Sequence, residues 1–74
     1  MDIPIINGNQ IEPNHYTDMK IPPNVYITQN NLEWEEANIV KYVSRHKKKN
    51  KLEDLRKAKK YLELLANRLY GEEL

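Results

Sequence analysis

The sequence predicts an all-α protein, an antiparallel helical hairpin behind an irregular, proline-containing N-terminal arm. Three observations carry this. Apolar residues take on helical spacing only beyond about residue 30, most clearly as the stripe Leu52, Leu55, Ala58, Leu62, Leu65 and Leu69. All four prolines, at positions 4, 13, 22 and 23, precede that point, together with the turn dipeptide Asn7-Gly8. Between two helical patterns lies only the short break Lys49-Asn50-Lys51, and a short connection makes two helices antiparallel neighbours.

Residues 1–29 form the arm. Ile3, Ile5, Ile6 and Ile11 flank the turn and suit a minimal hairpin, which Pro4 and Pro13 confine to an edge. After Pro22-Pro23 a short helix through Val25, Tyr26 and Ile27 is compatible with the sequence, because proline is tolerated in a first helical turn.

Residues 30–49 are expected to form the first long helix. Asn30 or Asn31 can cap it, and Glu33, Glu35 and Glu36 complement the positive end of its dipole. At about 100° per residue, Ile39, Val40 and Val43 make an apolar stripe for packing on a neighbour, while Asn38, Lys41, Tyr42, Arg45 and Lys48 share the other side. Residues 50–71 form the second. Asn50 and Glu53 are spaced as a capping-box variant, Asp54 joins the first turn, and Gly71 is a natural stop. The antiparallel register puts Arg45 near Leu55 and Asn38 near Leu62.

Length and composition narrow the class. A chain of 74 residues has room for one domain, and one of this size buries only about 60% of its unfolded surface. The absence of cysteine removes disulfides, Cys-ligated zinc and iron–sulfur clusters and fits a reducing compartment. Neither a leader nor a span of roughly 18 apolar residues is evident, so the expectation is a soluble, cytoplasmic protein with no membrane partner. Self-association is a usual remedy for a thin core, and Trp34, Tyr42, Tyr61 and Tyr70 suit an interface; a homo-oligomer is expected.

Charge is unevenly distributed. Positions 41–60 contain ten Lys or Arg against only Glu53 and Asp54, although the net charge is +1. Such a block favours a phosphate-bearing partner. The neighbouring acidic turns would weaken a long phosphate track, so a compact anion is expected rather than nucleic acid. Cations one helical turn apart, such as Lys41, Arg45 and Lys48, can straddle a pyrophosphate while Asn38 donates to a ribose or base and Tyr42 stacks. The competing reading of this face is a solvated charged surface.

Catalytic signatures are scarce. There is no Gly-rich phosphate loop, no glycine triplet between strand and helix, and no paired-His zinc motif. His46 beside Lys47 reads as a solvated helix residue. Glu36 and Asp54 begin successive antiparallel helices and so lie on the order of 20 Å apart, which suits capping rather than a shared metal. No metal or cofactor is expected.

The run Asn38-Ile39-Val40-Lys41-Tyr42-Val43-Ser44-Arg45-His46-Lys47-Lys48-Lys49-Asn50, then Leu52-Glu53-Asp54-Leu55-Arg56-Lys57-Ala58-Lys59-Lys60-Tyr61-Leu62-Glu63, resembles the SaV-like family of small bacteriophage proteins, often labelled nucleotide kinase. The family's Asn-His-Tyr is matched by Asn14-His15-Tyr16, while Ala37 replaces a glycine before the Asn and Lys-Tyr positions. The resemblance covers roughly Asn14 to Leu65. It implies a nucleotide ligand and carries over Asn14, His15, Tyr16, Asn38, Lys41, Tyr42, Arg45, Asp54, Lys57 and Tyr61 as site positions; Lys48 joins them from the charge pattern. Three functions follow as expectations: a phage protein that sequesters a phosphate-rich nucleotide, for example an immune signal; a nucleotide kinase without a P-loop; or a helical adaptor for a host protein. The lack of an acid-base constellation favours the first.

Overall fold

The computed structural model describes residues 19–74, which form three α-helices: α1 (Pro23–Gln29), α2 (Trp34–Arg45) and α3 (Leu52–Tyr70). The architecture is all-α, as the sequence predicts. The suggested hairpin of Ile3 to Ile11 lies outside the described residues. None of the described helices is long and apolar enough to cross a membrane.

α1 begins with Pro23 at its first position, where a missing N–H costs nothing. The two asparagines expected to start the long helix instead finish this short one. Asn30 is its C-cap, and the Asn30 side chain donates to the Tyr26 carbonyl at 2.9 Å. Asn31 follows with φ 54°, a left-handed conformation that asparagine tolerates better than most residues. α2 therefore starts at Trp34 rather than Asn30. Its N-cap is Glu33, whose N–H donates to Glu36 Oε1 at 2.9 Å, the return arm of a capping box.

α2 also ends earlier than expected, at Arg45. The Lys48 and Lys49 amides fold back onto the Arg45 carbonyl and the Lys51 amide onto the His46 carbonyl, giving a tight turn. Lys51 has φ 52° and is the N-cap of α3. The carboxylate that reaches back from this helix is Asp54, not Glu53. Asp54 accepts from the Asn50 amide and from the Asn50 side chain, each at 3.3 Å. Glu53 pairs instead with Arg56 at the surface, 3.6 Å away. Gly71 closes α3 with φ 66°, its N–H donating to the Asn67 carbonyl.

α2 and α3 run antiparallel, with Arg45 beside Asp54 and Glu35 beside Arg68. The residues turned inward differ from those expected. Along α2 they include Glu35, Tyr42 and Arg45, seven and three residues apart, and along α3 Asp54, Ala58 and Tyr61, four and three apart, while the half-exposed Arg68 reaches Glu35 from the margin. Val43, assigned to the packing stripe, is half-exposed, while Ile39 and Val40 are only half-buried. Of the α3 stripe, Ala58 is buried and Leu65 half-buried, whereas Leu52, Leu55, Leu62 and Leu69 remain exposed. Partnered charges and rings fill the seam and displace the aliphatic residues to its margin.

Asp54 has no exposed surface and Arg45 is 7% exposed. Removing one member of a buried pair strands the other, which costs about 3–5 kcal/mol. Asp54→Ala is therefore expected to lower unfolding free energy by about that amount in urea titrations followed by circular dichroism; a loss under about 1 kcal/mol would mean the pair is not holding the hairpin.

Candidate functional site

The hairpin is clamped at both ends by carboxylate–arginine pairs. At the turn, Arg45 Nε and Nη2 donate to Asp54 Oδ2 and Oδ1 at 3.2 and 3.3 Å. At the open end, Arg68 donates from Nε and Nη2 to Glu35 at 2.6 and 2.7 Å and also meets Glu33. Burial opposes ionisation of Asp54, yet the Arg45 and Asn50 donors outweigh it and hold the carboxyl below its ordinary range. The hydrogen bond from Arg68 does the same for Glu35.

Between the clamps stand three aromatic rings. Tyr42 and Tyr61 stack across the seam with centroids 5.9 Å apart and planes 12° from parallel. Trp34 meets Tyr61 edge-on at 5.2 Å and 85°. Arg45 lies over the Tyr42 ring at 4.7 Å and Lys57 Nζ at 5.5 Å, both within cation–π range. The Tyr42 stack thus continues the Arg45–Asp54 clamp, while Trp34 at its other margin is 64% exposed.

Many of the positions expected to bind a ligand come together here, in altered roles. Tyr42, Arg45, Asp54 and Tyr61 build the helix–helix seam. Asn38 donates to the Trp34 carbonyl at 2.9 Å, which accounts for asparagine within a helix and steadies the turn that carries Trp34. Lys41 is half-exposed, seven residues and about two turns after Trp34, so the two lie on the same flank of α2. Lys57 of α3 meets α2 at the Tyr42 ring. Lys48 lies elsewhere, with Met19, Val43, Ser44, His46 and Lys47 around an open depression of about 360 Å³ near the turn. Asn14, His15 and Tyr16 fall outside the described residues.

The sequence reading missed Trp34 as a site residue and the Glu35–Arg68 clamp altogether. The clamp had a signal: the register that pairs positions 45 and 54 also brings an acidic residue near 35 close to a cation in the last turn of α3. Among the described residues, no group of three or more His, Cys, Asp or Glu is arranged to hold a metal ion.

A family model described as a protein of unknown function, DUF3310, matches residues 11–63, well over half of the chain. The chain is a member of the DUF3310 family. The span shared with DUF3310 takes in the Arg45–Asp54 pair and all three rings of the aromatic cluster and stops before Arg68. No curated protein and no solved structure matches this DUF3310 chain.

Both clamp carboxyls titrate lower folded than unfolded, where ordinary values are about 3.9 for Asp and 4.3 for Glu. Their contribution to stability is thus fully present above about pH 5 and is lost as pH falls through the depressed folded values. Urea midpoints are expected to stay level from pH 7 to 5 and fall steeply below about pH 4, with a shallower fall in Asp54→Asn; equal acid dependence in the two proteins would contradict the assignment.

Proposed function

We propose that this DUF3310 protein binds a phosphate-bearing nucleotide on the aromatic–basic flank of the hairpin and holds it without chemical turnover. The observation that carries the reading is Trp34, a largely exposed indole that meets Tyr61 edge-on, with Lys57 over the neighbouring Tyr42 ring and Lys41 two turns further along α2. Base–aromatic stacking is worth about 1–3 kcal/mol, and the two lysines supply point charges for phosphate. The rings are supported from behind by the ion-pair clamps, so the platform is ordered before a ligand arrives and little entropy remains to be lost on binding.

Binding without turnover is favoured by the state of the interior carboxylates. Asp54 and Glu35 are ionised and engaged by arginines, and a depressed pKa makes a weak general base. Sequestration of a nucleotide signal is the use that such binding serves. The resemblance to phage proteins labelled nucleotide kinase points to the same ligand class and supplies the rival outcome.

Trp34 is the single tryptophan, so its fluorescence reports on the platform directly. Titration with mononucleotides, cyclic dinucleotides and ADP-ribose derivatives is expected to quench it saturably for at least one compound. Trp34→Ala should weaken retention of that compound about ten-fold or more by equilibrium dialysis. Lys41→Ala with Lys57→Ala should weaken it further at low salt than at high. Intact ligand recovered after denaturation supports sequestration. ATP-dependent conversion of a monophosphate would transfer the site to the kinase reading, and equal retention by wild-type and Trp34→Ala proteins would remove the platform from the account.

A further inference from the structure

The depression near the turn is a second concavity, which the Trp34 platform does not use. It forms where the chain leading into α1 passes the end of α2, and Met19, Val43, Ser44, His46, Lys47 and Lys48 line its volume of about 360 Å³. Sites for small molecules begin at about 300 Å³. Among the described residues none of α3 lines it, and Ser44 lies ten residues beyond Trp34, about 15 Å along α2. The two places are therefore separate.

The lining has one electrostatic character. Ser44 brings a hydroxyl, His46 an imidazole, Lys47 and Lys48 ammonium groups, and none of these described residues brings a carboxylate. Ser44 and His46 are half-buried, whereas the two lysines are exposed. The end of a helix ordinarily repels an anion, because its last carbonyls carry partial negative charge. Here those carbonyls are occupied. The Arg45 carbonyl accepts from the Lys48 and Lys49 amides, the His46 carbonyl from the Lys51 amide, and the Lys47 carbonyl from Lys51 Nζ at 2.7 Å. The carboxylates that follow the turn, Glu53 and Asp54, are paired with Arg56 and Arg45.

We propose that this depression is a second anion site, which takes a small phosphate monoester. Its phosphate meets Lys47 and Lys48 as point charges, with the Ser44 and His46 side chains as neutral donors beside them. Its organic body lies against Met19 and Val43, and this apolar pair distinguishes an ester from free phosphate. The site does not depend on what Trp34 binds.

Butyl phosphate tests the proposal apart from the platform, because it carries an apolar body and no ring to stack. Titrated into the full chain, it is expected to shift the amide NMR signals of Ser44, His46, Lys47 and Lys48 saturably and to bind more tightly than inorganic phosphate. Lys47→Ala with Lys48→Ala should weaken it about ten-fold. Val43→Asn should bring the two affinities together, and Trp34→Ala should leave both unchanged. Circular dichroism of each variant separates lost binding from lost helix. Shifts spread without saturation over the exposed lysines of α3, or undiminished binding by the double lysine variant, would overturn the site. Equal affinity of the wild-type protein for the two probes would overturn the ester assignment.

Discussion

The described hairpin depends on one interaction, the buried pair between Arg45 and Asp54. It joins the last residue of α2 to the first turn of α3, and Asp54 simultaneously accepts from the Asn50 amide and side chain. One carboxylate therefore ties together the end of one helix, the turn, and the start of the next. A buried ion pair is a poor source of net stability compared with a well-packed apolar contact, because both charges must leave water. Its value here lies in register. The guanidinium fork and the Asn50 donors accept only one alignment of the two helices, and every contact further along the hairpin inherits it.

That alignment explains how a thin hairpin presents two unlike flanks. From the Arg45 end, the stack of Tyr42 on Tyr61 extends the seam toward Trp34, and the Glu35–Arg68 clamp keeps the far ends from splaying. The seam consists of side chains with apolar bodies and polar ends, so it can be narrow without stranding charge. One margin then carries the exposed indole of Trp34; the other carries leucines. The polar seam keeps these two unlike margins apart on so small a unit.

The hairpin was legible in the sequence because its signals are local. The break at Lys49-Asn50-Lys51, the α3 stripe and the Gly71 stop each follow from spacing and backbone preference. Which way α2 faces was not legible by the same route. Hydrophobic periodicity assigns Ile39, Val40 and Val43 inward and sends Arg45 and Tyr42 to solvent, since a charge counts as exposed until its partner is known. That partner sits across the turn at Asp54, a pairing visible only when opposite charges are matched through the antiparallel register. The boundary of α2 was misplaced for a related reason. Asparagine suits both ends of a helix, and only the existence of α1 decides that Asn30 and Asn31 finish one rather than start the next.

The same reversal changes what the cationic residues mean. Arg45, which the charge pattern offers as a phosphate ligand, is an internal brace, whereas Lys41 is half-exposed and Lys57 lies over the Tyr42 ring. A double-mutant cycle on Arg45→Ala and Asp54→Ala tests this most directly, with unfolding free energies from urea titration at pH 7. The account requires a coupling above about 1.5 kcal/mol, near the upper part of the range for contacting residues. A coupling within about 0.3 kcal/mol of zero would mean that the two side chains act independently and that something else sets the hairpin's register.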